Sequence, residues 1–212
     1  MQVESTKTLR LLSHELRGSI AVIQGYVRML RPARADNEAE ARMLTGILDA
    51  TTRISTIARH ASELATWIDG RALEGHDAIP VSALVERAVA NAAFRGASVD
   101  VAGDAASEIV QTPNAGSLAA ALSAIIDAVG RGLAPEQAAV VRARRVADRH
   151  RVTIEIAPAT TALGAAASEP ISFDQGGHGL ALVLAAAVLD AHDATVSSQP
   201  GGTVAVTLLG GQ

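Results

Sequence analysis

Two apolar stripes, each about thirty residues long and parted by a proline-bearing segment, constrain this chain more than any other feature. In the first, Leu9, Leu12, Leu16, Ile20, Ile23, Val27 and Leu30 recur at spacings of three and four. In the second, Leu44, Ile47, Thr51, Ile54, Ala58, Ala61, Leu64 and Ile68 do the same, up to Gly70. Such spacing lines up one face of a helix for burial. Between the stripes "RPARADN" brings Pro32, and Asn37 followed by Glu40 has the spacing of a capping box. Residues 1–70 therefore predict an antiparallel helical hairpin. Two helices alone enclose no core, whereas two hairpins side by side make a four-helix bundle, so the pattern predicts a homodimer.

Residues 71–80, beginning "RALEGHDA", read as a linker, and the pattern beyond it is mixed over 81–212. Ser82 to Phe94 reads as helix and "ASVDVAG" (97–103) as strand. Ser117 to Gly130 is helical again, with Gly130 and Gly132 marking its end. "AAVVRARRV" and "HRVTIEIA" are two strands around a turn at Asp148, followed by a loop over 158–176. Gly179 to Leu189 is an apolar helix, and the closing strands turn at Pro200-Gly201-Gly202. Helices and strands alternating in this way predict an α/β sandwich. Its interior must be aliphatic, because 49% of the chain is apolar but only 2% aromatic.

Composition removes several functions. There is no cysteine, so disulfides, thiolate metal sites and cysteine nucleophiles are excluded. A net charge of −4 without an arginine-rich block argues against a nucleic-acid partner. The longest strongly apolar run, "LALVLAAAVL" at 180–189, is too short to span a bilayer. "MQVESTKTLR" lacks the apolar centre of a signal peptide, so the expected location is cytoplasmic.

The chemistry concentrates in "SHELR", residues 13–17. His14 stands about 200° around the helix from both Leu12 and Leu16, away from the apolar stripe. A neutral imidazole is a nitrogen nucleophile once its other nitrogen can shed a proton. Glu15 is placed to take that proton or orient the ring, and Arg17, three residues on, to steady phosphate charge.

"SHELRGSIAVIQGYVRML" resembles the phosphoacceptor box of two-component sensor histidine kinases, with Ser13, His14, Glu15, Leu16, Arg17, Ile23, Gly25, Tyr26 and Leu30 in register. The second stripe is similar to that family's second bundle helix. "GGHGLALVLAAAVLDAHDATVSSQPGGTVAVTLL" is similar to the last glycine box, helix and hairpin of its ATP-binding domain. The resemblance implies a dimeric phosphoacceptor hairpin followed by an α/β sandwich of the histidine-kinase ATPase type. It makes His14 the phosphoacceptor, Glu15 the general base or ring orienter and Arg17 a phosphate or partner contact. It also implies a receiver domain of a response regulator as partner.

The departures fall mostly in the nucleotide site. The family's Mg²⁺-holding asparagine helix is matched by "ALSAIIDAVGRG", with Ala124 and Ala128 at the matching positions and Asp127 one residue out of register. A methyl group cannot ligate a hard cation. After "RVTIEIA", Ala157 or Pro158 stands where the family has an adenine-binding aspartate. The last glycine box keeps Gly177, Gly179, Leu180 and Leu182, which would serve nucleotide phosphates only in an active kinase. Near His14, Gly18 replaces the usual threonine or asparagine and Ser19 the usual proline.

The remaining histidines read as bland. His60 is a surface residue, His76 lies in the linker, His150 and His178 lie in turns, and His192 is a helix-end cap for the dipole. None has metal-ligand spacing, so no metal site is expected. The favoured reading is a phosphorelay protein that exchanges a phosphoryl group between His14 and a receiver aspartate. No cofactor is then bound tightly and Mg²⁺ comes with the receiver. A divergent kinase using ATP and a non-catalytic scaffold for a response regulator are the alternatives.

Overall fold

The structure is a computed structural model, and it describes residues 2–33, 37–69, 77–134, 136–146, 151–159, 179–199 and 202–210. The chain divides into two compact units, Met1–Asp69 and Gly70–Gln212.

The first unit is a pair of helices, α1 (Gln2–Ala33) and α2 (Glu38–Ile68), packed along each other. Pro32 does not end α1 early; it sits next to last in the helix. The capping box forms as its spacing requires. Asn37 Oδ1 accepts from the backbone N–H groups of Ala39 and Glu40, and Asn37 Nδ2 donates to Glu40 Oε1 at 3.1 Å. The helix stops at Ile68 with Asp69 as its C-cap, and Gly70 lies outside the described residues.

The second unit runs β1 (Asp77–Pro80), α3 (Val81–Asn91), β2 (Ala97–Val101), α4 (Gly103–Ala106), β3 (Ile109–Thr112), α5 (Ala115–Arg131), β4 (Ala139–Arg145), β5 (Arg151–Pro158), α6 (Gly179–Asp190), β6 (Thr195–Gln199) and β7 (Thr203–Leu209). The main sheet has the order β2-β4-β5-β7-β6, with β2 parallel to β4 and the other pairs antiparallel. Val141, Ala143, Val152, Ile154, Ile156, Val204, Val206 and Leu208 alternate inward from it and are buried. α3, α5 and α6 pack on that side, with α5 touching both of the others. Leu118, Leu122, Ile125, Ile126 and Val129 bury α5 almost completely, so the unit is a two-layer α/β sandwich.

The linker reading needs a correction. Residues 77–80 belong to strand β1, which pairs antiparallel with β3 in a separate two-stranded sheet. Both strands are four residues long, and β1 ends in Pro80, so neither leaves an alternation long enough to read. The turn at 147–150, the loop over 160–178 and the Pro200-Gly201 pair lie outside the described residues.

Gly130 stands next to last in α5 and Gly132 is its C-cap, as the pair predicts, but Gly130 has a further role: a Cβ there would run into the Phe94 ring. The missing side chain is the seat of that ring. Gly25, inside α1, has open space where a Cβ would stand, with nothing within 4 Å. The same substitution should therefore act with opposite signs at the two positions. Gly25→Ala should stabilise by up to about 1 kcal/mol through helix propensity. Gly130→Ala should destabilise by about 1–2 kcal/mol because Phe94 has to leave its seat. Urea unfolding of each variant checks both signs.

Candidate functional site

The hairpin has two unlike sides, and its burial pattern shows why. The buried residues of α1 include Ser13, Ile20 and Val27, and those of α2 include Thr51, Ala58 and Ala65, each set spaced by seven. In antiparallel helices two such sets face each other along the seam. Three residues on from each lie Leu16, Ile23 and Leu30 on α1 and Ile54, Ala61 and Ile68 on α2. Because the helices run in opposite directions, that step turns both toward the same side of the pair. Ile23, Leu30, Ile54 and Ile68 are exposed there, 40–48% each, joined by Val22, Tyr26, Met29 and Ile47. A contiguous apolar patch of this kind on a monomer marks an interaction surface.

The steps of one and four residues turn to the opposite side and are polar. Position 14, Arg17, Ala21, Gln24 and Arg28 line it from α1, and Thr52, Ser55, Arg59, Ser62 and Thr66 from α2. The side chains of His14 and Glu15 lie outside the described residues; their backbone is helical, within α1. Arg17 is exposed, and its Nε donates to the Ser13 carbonyl at 3.2 Å, which draws the guanidinium back along the helix toward the level of position 14. A Cβ at Gly18 would have nothing within 4 Å, so a gap opens one turn beyond position 14.

Arg59 carries no motif signal in the sequence and emerges only here. Its Nη1 donates to Glu63 Oε1 at 2.9 Å, and its Nη2 donates to His60 Nε2 at 3.1 Å. His60 is half-buried rather than a free surface residue.

In the second unit, the open stripe of α5 does not carry the pair of positions read from the sequence. Ala128 is buried, whereas Asp127 and Ala124 are half-exposed. With Ala93, Phe94, Gly130 and Arg131, Asp127 lines a shallow cavity of about 180 Å³. Its Oδ1 accepts from the Phe94 N–H at 2.9 Å. Among the described residues, the stretches that resemble a nucleotide site thus offer one carboxylate, half committed to the backbone, and no acid at Ala157, Pro158 or Ala159. A hard cation needs more oxygen donors than that set supplies. Gly179 opens α6 and Leu180 is half-buried; Gly177 and His178 lie outside the described residues, as do His76 and His150.

His192 caps the end of α6 through the Val188 carbonyl and, as a neutral imidazole, also ties the helix to a second element. Nδ1 lies 2.6 Å from the Val188 carbonyl, which only accepts, so Nδ1 carries the proton. Thr112 Oγ1 accepts from the Asn114 N–H and donates its own proton to His192 Nε2. Asn114 in turn caps α5 through Ser117 N–H, and Asp77 Oδ2 accepts from Ala115 N–H at 3.0 Å. Burial lowers the imidazole pKa below 6.5, with the Val188 bond and the Asp193 carboxylate opposing without reversing it.

Among the described residues no group of three metal-ligating side chains occurs, and no helix is long and apolar enough to cross a membrane. No family model and no curated protein matches the sequence. Solved structures do match. The chain is similar to the Acinetobacter baumannii histidine kinase AdeS at 17% identity and a TM-score of 0.55, over 92% of this chain and 95% of that one. It is also similar to the mycobacterial sensor histidine kinase MprB at 17% identity and a TM-score of 0.47, over 64% of this chain and 97% of that one. At such identity the AdeS likeness speaks for architecture: a helical N-terminal part and an α/β unit with a five-stranded sheet, the fold of a sensor histidine kinase catalytic core.

Proposed function

We propose that this chain is a cytoplasmic two-component phosphorelay protein that carries a phosphoryl group on His14. The observation that carries the reading is the division of the hairpin into an apolar side and a polar side with position 14 on the polar one. The apolar side suits a second copy of the hairpin, giving a homodimeric four-helix bundle in which two polar sides stay open. Each would receive the receiver domain of a response regulator, which brings its own aspartyl phosphate and Mg²⁺. A lone pair on the His14 ring attacks phosphorus, the P–O bond to the aspartate breaks, and the carboxylate leaves. Glu15 takes the proton from the other ring nitrogen. The reverse step hands the group to another receiver. The poor fit of the described α5 and β5 residues to a magnesium nucleotide favours this donor over ATP.

A second reading has its own support: the likeness to AdeS, a histidine kinase, extends over both units. There His14 would be phosphorylated from ATP within the protein. Two incubations separate the readings. Phosphotransfer predicts that His14 takes acid-labile, base-stable label from a prephosphorylated receiver and none from ATP with Mg²⁺, and that His14→Ala takes label from neither. Label from ATP on His14 alone would establish the kinase reading instead.

A further inference from the structure

The main sheet of the second unit has a second face. α3, α5 and α6 pack on the side of Val141, Ile154 and Val206, and alternation sends the residues between these to the opposite side. There Arg144 is exposed, and Arg151, Thr153 and Thr207 are half-buried. Backbone pairing fixes which of them stand together. Arg144 pairs across with Thr153 and Thr153 with Thr207, making one row over β4, β5 and β7. Arg151 stands in the next row, opposite Leu209 and diagonal to Arg144. Diagonal neighbours on one face lie about 7–8 Å apart, within reach of two long side chains.

The charges in this corner do not balance. Arg142 Nε donates to Asp100 Oδ2 at 3.3 Å, and Arg145 Nε, on the helix side, to Glu108 Oε1 at 3.1 Å. Arg144 and Arg151 have no such partner among the described residues. Glu155 is a row further along β5, opposite Arg142. Like charges close together on a sheet face weaken it, and an anion between them would relieve the repulsion. The neighbouring hydroxyls add a donor. Thr153 Oγ1 and Thr207 Oγ1 lie 3.1 Å apart, and whichever accepts keeps its own proton to give away.

We infer that Arg144, Arg151 and the Thr153–Thr207 hydroxyl pair form a binding site for a tetrahedral oxyanion of the phosphate class. The donors come from three strands, and a tetrahedral anion directs oxygens toward all of them, whereas a planar carboxylate fills a single fork. β4, β5 and β7 carry no aromatic side chain on which a base would stack, so the group recognised is the phosphoryl group itself. The site makes no use of His14 and is independent of the phosphotransfer reading. Free phosphate and a phosphate monoester share this chemistry, and titration separates them.

The full chain is titrated with inorganic phosphate, and separately with glycerol 3-phosphate, at an ionic strength held constant with sodium chloride. Backbone amide NMR shifts are followed. The amides of Arg144, Arg151, Thr153 and Thr207 should shift together and saturate. Tighter binding of one compound names the source, and equal binding assigns the site to the phosphoryl group alone. Arg144→Gln and Arg151→Gln should each weaken binding about tenfold, the loss of one charge-assisted contact. Arg144→Lys should keep part of the affinity, because the charge stays but the fork does not. Arg87→Gln, at an exposed position of α3, should bind as the wild type does. The amides remote from the site should keep their wild-type shifts in every variant, which shows the fold intact. Shifts that never saturate, or saturable shifts that survive both glutamine substitutions, overturn the site.

Discussion

In the proposed homodimer, Ile23→Glu combined with Ile54→Glu should separate the two chains and largely unfold each hairpin. In a single chain both side chains are exposed, 44% and 40%, so a monomeric protein would lose little by the change, within about 0.5 kcal/mol. In a four-helix bundle the same positions become a core layer. Each isoleucine there contributes on the order of 2 kcal/mol by burial, and a carboxylate in its place must be desolvated. Two chains with two substitutions each should therefore lose several kcal/mol of assembly free energy. Light scattering gives the mass and circular dichroism the helicity. A monomeric wild type, or a variant that keeps a dimeric mass and the wild-type melting temperature, would remove the proposed interface and, with it, the account of why one side of the hairpin is apolar.

The second large effect should come from His192→Ala, which removes the tie between α6 and the β3–α5 junction. Thr112 Oγ1 loses its acceptor in a nearly closed environment, and the Val188 carbonyl loses a donor. The cost should be about 2 kcal/mol, read from urea unfolding of the whole chain. The imidazole also predicts a pH dependence of known sign. Its folded pKa lies below the ordinary value of 6.5, so the unfolded chain binds the proton more readily. Stability is therefore intact above pH 6.5 and falls as the pH drops from there through the lowered folded value, by at most about 1.4 kcal/mol per pH unit. Protonation turns Nε2 into a donor facing a hydroxyl that already receives the Asn114 N–H. The acid-induced loss should be absent in His192→Ala; if the variant keeps the same pH profile, another group is responsible.

The hairpin was readable because a long helix repeats its instruction every turn. Two uninterrupted stripes, a proline-bearing break and an Asn37–Glu40 cap leave few alternatives, and β4, β5, β6 and β7 were readable as alternating or apolar runs between turn residues. β1 and β3 were not, since four residues next to a proline carry too little alternation, and their pairing is long-range. α4 is a four-residue helix that begins at Gly103, the last residue of a run read as a strand, and is again below the length at which periodicity speaks.

Position 14, Glu15 and Arg17 are contiguous and local, so the sequence alone can propose them as a site. His192 is a plain helix-end residue in one dimension but a bridge to Thr112, 80 positions earlier, in three. Gly130 reads only as a helix stop until the Phe94 ring is laid against it.

The sequence by itself determined which segments are helical, which face of each helix is apolar, and on which face of the first a histidine stands. Those are properties of spacing along one chain, governed by local backbone geometry. Only the tertiary structure decided which side of the helix pair is left uncovered, which ring seats against Gly130, and which hydroxyl donates to His192. Each of these depends on the register between elements far apart in the chain, and register is set by close packing rather than by any residue's own preference.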